Sequence, residues 1–148
     1  MPRQKNMSDS KEIIEQKVAT LYEKIERLRK FQDVSFNEFS EDLDMKDIVE
    51  RNLQVAIEAC IDIGKVIISF MSLREPLDNK DVFKVLSENG IITHKSLEFL
   101  LPMAGTRNVL VHGYDKIDTT IIFGILKKHL EDFYTYLAEI KKNYLDKS

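Results

Sequence analysis

An all-α fold, a bundle of four to five helices, is predicted by two features of the 148-residue sequence. Its long segments repeat apolar residues at steps of three and four, the period of a helix with one buried side. It holds only five glycines and three prolines, too few for a chain of many short strands and turns. The length suits one domain with a full hydrophobic core. Charged residues at 32% and hydrophobic ones at 43% are an ordinary soluble balance. The net charge of −3 argues against a globally basic nucleic-acid binder, so an anionic substrate must be met by a local patch. A single cysteine, Cys60, forbids an internal disulfide and fits a reducing, cytoplasmic setting. Asp62, Lys65 and Arg74 interrupt the most apolar region, so no membrane span is expected.

Residues 1–10 are polar and without period and read as a flexible leader, and 11–148 read as one helical domain. Asp9 or Ser10 is a candidate cap for a helix from Lys11 to about Phe31, whose stripe is Ile14, Val18, Leu21, Ile25 and Leu28. The acidic stretch Asp33 to Asp44 holds Phe36 and Phe39 and reads as a loop or short helix over one end of the core. Asp44 is a candidate cap for the next helix, Met45 to about Leu73. That helix is apolar nearly all round, as expected at the middle of a bundle or at a subunit interface. Its polar residues Arg51, Gln54, Glu58, Asp62 and Lys65 form one narrow stripe. The stripe is either a solvated strip with internal pairs such as Glu58–Lys65, or the lining of a polar cleft. Cys60 belongs to the apolar set and reads as packing rather than as a nucleophile.

Arg74 to Asn79 reads as a connector, and Lys80 to Glu88 as a short amphipathic helix stopped at Asn89-Gly90. Thr93 is a good cap for a helix carrying Leu97, Leu100, Leu101 and Ala104, with Pro102 a place for a bend. It runs on to about His112 and stops at Gly113. The last helix spans about Thr119 to Tyr144, with Ile122, Leu126, Leu130, Phe133, Leu137 and Ile140 inward.

Chemistry concentrates in the stretch Arg107-Asn108-Val109-Leu110-Val111-His112-Gly113-Tyr114. Val109, Leu110 and Val111 look like core, whereas the polar residues around them suggest use. Arginine can grip a phosphate with a forked pair of hydrogen bonds, and histidine can move a proton near neutral pH. Asn108, four residues before His112, lies on its helical face and is placed to orient the ring. Arg107 and His112 are five residues apart and point about 140° away from each other on a helix. Two copies related by a twofold axis would bring two such pairs into one groove, so a homodimer with the site at its interface is expected. The plain alternative is a capped helix end with Arg107 on the surface. His94 and His129 are isolated and lack metal-ligand spacing, so no metal and no cofactor is expected.

On these residues the chain resembles the HEPN superfamily, whose mark is Arg-x(4–6)-His. More narrowly, it resembles the HepT-like branch, whose mark is Arg-x4-His-x-Tyr. The run Glu50 to Ile63 is also similar to that family's central helix. The resemblance implies a metal-independent endoribonuclease, the toxin of a toxin–antitoxin pair of the type VII kind. Arg107, His112 and Asn108 would be catalytic, and the RNA substrate a tRNA or an mRNA. It also implies an MntA-like nucleotidyltransferase antitoxin that transfers AMP onto Tyr114. Arg51, Glu58 and Asp62 are candidate cleft-lining residues. The alternative in the same family is a non-catalytic module that binds a nucleotide or the nucleotidyltransferase.

Overall fold

The computed structural model describes residues 7–113 and 118–147, and all their regular structure is helical. In chain order the helices are α1 (Met7–Arg29), α2 (Phe36–Glu41), α3 (Leu43–Phe70), α4 (Asn79–Glu88), α5 (His94–His112), α6 (Thr119–Lys128) and α7 (Leu130–Asn143), with a 3-10 turn at Leu145–Lys147. Among the described residues no helix is long and apolar enough to cross a membrane.

The bundle is organised around α3. Its residues Leu53, Ala56, Ile57, Cys60, Ile63 and Ile67 are almost wholly buried. Helix α1 lies along it with Ile14, Leu21, Ile25 and Leu28, while α4 and α5 cover other sides. Phe133, Tyr136 and Ile140 of α7 complete the core, and the Tyr136 hydroxyl donates to the Cys60 carbonyl at 2.8 Å. Burial in this apolar centre pushes the Cys60 thiol well above its ordinary range.

Contact between α3 and α4 is unusually close at Gly64. A Cβ built there would stand 2.5 Å from Val82 Cγ1 and 3.2 Å from Leu86 Cδ1. Only a residue without a side chain lets α4 settle this near to α3. The loop between them is held by Arg74, which donates to both oxygens of Asp81 (2.7 and 2.8 Å) and both of Glu88 (2.9 and 2.8 Å). The Leu77 amide adds a bond to Asp81. Arg74, and then the Leu77 amide, hold the Asp81 carboxyl far below the usual carboxylate range.

Several boundaries differ from the sequence expectation. Helix α1 starts at Met7, so Asp9 and Ser10 stand inside it instead of capping it. Residues 7–10, expected from the sequence to belong to the leader, are helical. Ser10 is buried and its hydroxyl meets that of Tyr144 at 2.7 Å, tying the start of α1 to the chain's end. Asp42, not Asp44, caps α3, accepting from the Met45 amide at 3.0 Å. Asp42 is the residue with extended backbone, which an N-cap requires, while Asp44 is already in the first turn. The acidic stretch holds a short helix, α2, closed by a Ser35–Glu38 capping box.

The single long helix expected at the end is broken at His129 into α6 and α7. His129 Nδ1 lies 2.8 Å from Asp132, and its ring stacks on Phe99 at 5.9 Å. Ile122, Leu126, Leu130 and Phe133 are buried on both sides of the break. The apolar period runs straight through it, so periodicity could not reveal it.

Candidate active site

Helix α5 changes character along its length. Thr93 caps it, accepting from the Ser96 amide at 3.2 Å, and Leu100, Met103 and Ala104 sink into the core. Beyond them the helix leaves the bundle. Val109 and Val111 are 39% and 40% exposed, which corrects the expectation that they are core. Leu110 between them keeps a partly buried contact with the core. The cause is position: the last turn of α5 runs past the layer that would cover it. The helix ends at His112, and Gly113 closes it with φ of 59°, a left-handed conformation that glycine adopts without strain.

Arg107 points toward α3. Its Nε is 3.6 Å from Glu58 Oε1, an ion-pair distance too long for a hydrogen bond. The Nε atom is shut off from solvent and has no hydrogen-bond partner among the described residues. Its Nη1 donates to Asn108 Oδ1 at a weak 3.4 Å. Glu58 Oε1 accepts from Gln54 Nε2 at 2.8 Å. A small cleft of about 80 Å³ opens here, lined by Glu58, Ile61, Asp62, Lys65, Asn79 and Arg107.

Of the α3 stripe, Glu58, Asp62 and Lys65 thus line a polar cleft beside Arg107, while Asp62 also pairs with Lys17 of α1 at 3.6 Å. Arg51, two turns toward the start of α3, is exposed and outside that lining. His112 and Asn108 are exposed. Arg107 and His112 therefore occupy different sides of α5, Arg107 in the α3 groove and His112 at the exposed helix end. Tyr114 lies outside the described residues. Among the described residues, no group of three or more His, Cys, Asp and Glu is gathered as a metal site. His94 faces Glu98 at 3.1 Å.

Sequence reasoning missed Asn79, which it placed in a connector, and the link between Glu58 and Arg107. Asn79 reaches the cleft because Gly64 lets α4 close on α3, and a lone glycine in an apolar helix was the only trace of that approach.

Larger clefts lie elsewhere, one among Glu38, Glu41, Asp42 and Asp44 and another among Tyr22, Tyr134 and Lys141. Neither contains a residue of the α5 motif.

Residues 21–140 match the ribonuclease HepT-like family. The mRNA nuclease HepT of Shewanella oneidensis is 36% identical over 131 residues, spanning 88% of this chain and 97% of that protein. The tRNA nuclease HepT of Aphanizomenon flos-aquae is 30% identical over 128 residues, spanning 86% of this chain and 87% of that protein. Among solved structures, the tri-AMPylated Shewanella oneidensis HEPN toxin in complex with MNT antitoxin superposes with a TM-score of 0.82. It is 36% identical and covers 88% of this chain and 97% of that one. The family match over residues 21–140, with two HepT nucleases at least 30% identical over nearly their whole length, makes this chain a member of the ribonuclease HepT-like family and a nuclease.

Proposed function

We propose that the chain is a metal-independent endoribonuclease, the toxin of a toxin–antitoxin pair, acting in the cytoplasm. One similar protein is an mRNA nuclease and another a tRNA nuclease, so the substrate class carried over is RNA. The observation that carries the reading is the state of Arg107: a guanidinium fixed at a polar cleft, its charge partner too far for a hydrogen bond, on the same helix as His112.

The ribose 2′-oxygen attacks the adjacent phosphorus while the bond from phosphorus to the 5′-oxygen breaks. His112 takes the 2′-OH proton or supplies the proton that the leaving 5′-oxygen needs. Arg107 offers forked donors to the phosphate oxygens as negative charge builds on them. Asn108, beside Arg107, holds the substrate or the imidazole. The two side chains diverge on one helix, so the working site joins two protomers, Arg107 and His112 of each copy lining one groove. The exposed Val109 and Val111 supply apolar surface for that contact.

The partner is an MntA-like nucleotidyltransferase antitoxin that transfers AMP onto Tyr114. A similar toxin is tri-AMPylated and bound to an MNT antitoxin, which supports this. Anionic phosphates added two residues after His112 would compete for Arg107 and repel RNA.

The test is cleavage of total RNA by the purified protein, with Arg107→Ala and His112→Ala as variants. Loss of cleavage in both, with unchanged circular dichroism and melting, is expected. No cleavage by the unmodified protein, with stable binding to the nucleotidyltransferase, would instead show a non-catalytic module. Mass spectrometry after co-expression is expected to show AMP units on Tyr114 and none on Tyr114→Phe.

A further inference from the structure

We infer that Glu58, clamped by Gln54, is the positioning residue of Arg107, a role that rests on the nuclease reading of that arginine. Gln54 and Glu58 are one turn apart on α3, and the Gln54 amide donates to Glu58 Oε1 at 2.8 Å. The same oxygen stands 3.6 Å from Arg107 Nε. At that distance the carboxylate attracts the guanidinium by charge without a hydrogen bond. Both side chains are largely shielded by the bundle, at 34% and 27% exposed, so water weakens the attraction only in part.

The arrangement solves a conflict. An arginine that grips a phosphate must be held in place, yet its forked donors must stay open. A carboxylate free to rotate would close a bidentate fork on the guanidinium and compete with the phosphate. Gln54 prevents this by engaging the oxygen nearest Arg107. The other acidic residue of the cleft, Asp62, is drawn toward Lys17 of α1 instead. Arg107 is thus anchored through its inner nitrogen, and among the described residues its outer nitrogens make only the long contact to Asn108.

The two clamp residues are expected to fail in opposite ways. Glu58→Gln removes the anchoring charge, so Arg107 swings and kcat falls about 10- to 100-fold with KM nearly unchanged. Gln54→Leu releases the carboxylate, which forks onto Arg107, so KM rises about 10-fold with a smaller change in kcat.

The experiment combines nitrogen-15 relaxation of the Arg107 Nε–Hε group with steady-state cleavage of a fluorescent RNA oligonucleotide, using the full chain. Glu23→Gln, which breaks a surface pair with Arg27, is the control and leaves both readouts unchanged. The expected result is a mobile Nε–Hε in Glu58→Gln and one at least as ordered as wild type in Gln54→Leu, each with the kinetic change above. Equal Nε–Hε order in wild type and Glu58→Gln would overturn the inference, and so would an unchanged kcat in that variant. If Glu58→Gln does not fold, Gln54→Leu decides alone: an unchanged KM overturns the inference. A wild-type protein that cuts no RNA but shows the relaxation difference would contradict the nuclease reading and leave the positioning role standing.

Discussion

Two arginines in this molecule contrast sharply. Arg74 is 43% exposed, yet it is saturated, bonded to both oxygens of Asp81 and both of Glu88 at 2.7–2.9 Å. Arg107 is more buried, at 27% exposed, yet its carboxylate partner Glu58 is 3.6 Å away and its Nε has no hydrogen-bond partner among the described residues. Physics favours the reverse, because a shielded cation gains most from close partners and loses most without them. Arg74 follows that rule and closes a loop. Arg107 breaks it, and local departures from best bonding collect where a protein keeps donors for a substrate. Saturation, rather than burial, separates the arginine that closes a loop from the one proposed to meet the phosphate.

The largest expected effect is a crossover. Arg107→Ala lowers RNA cleavage by about 10²- to 10³-fold, the usual cost of removing one donor to a developing oxyanion, and leaves the melting temperature in place. Arg74→Ala does the opposite, lowering the melting temperature with cleavage rates kept. Melting curves and initial rates on both variants check this, and two variants with the same profile would erase the contrast. Next is Gly64→Ala, which crowds Val82 and Leu86 and should destabilise the fold by about 1–3 kcal/mol in urea unfolding. Since Asn79 reaches the Arg107 cleft through that close contact, part of the cleavage rate is expected to go with it.

A pH series sharpens the Arg74 side. Asp81 is held below its ordinary pKa, so its pairing contributes full stability above the ordinary carboxylate value of about 4. That contribution is lost as pH falls from there toward the lowered folded-state value. Melting temperature in the wild type should therefore drop steeply below about pH 4. In Arg74→Ala the drop should be shallower and start from a lower plateau. Parallel curves would mean that the clasp adds nothing. The smallest effect concerns salt. If Arg107 contacts one phosphate, Arg107→Ala should reduce the slope of log affinity against log salt for single-stranded RNA by about 0.7. An unchanged slope would place Arg107 away from the backbone.

Much of this was legible because it is local. The period of Ile14, Leu21, Ile25 and Leu28 marks a buried helix face, and Thr93 and Gly113 mark the ends of α5 by their own chemistry. The polar motif at that end is likewise contiguous in sequence. What could not be read depends on neighbours remote in the chain. The break at His129 rests on Phe99 and Asp132 while the apolar period continues across it. Val109 and Val111 look like core because valine in a helix is usually covered, and only the packed bundle shows where α5 emerges. The reach of Arg107 to Glu58 joins two helices whose stripes each admit a solvated reading.

Cleaving a short RNA in the presence of EDTA and reading the new ends by mass spectrometry tests the proposed chemistry most directly. Attack by the 2′-oxygen, with Arg107 and His112 doing the work, predicts undiminished cleavage, a 2′,3′-cyclic phosphate on one fragment and a 5′-hydroxyl on the other. Fragments ending in 3′-hydroxyl and 5′-phosphate, or cleavage abolished by the chelator, would contradict it.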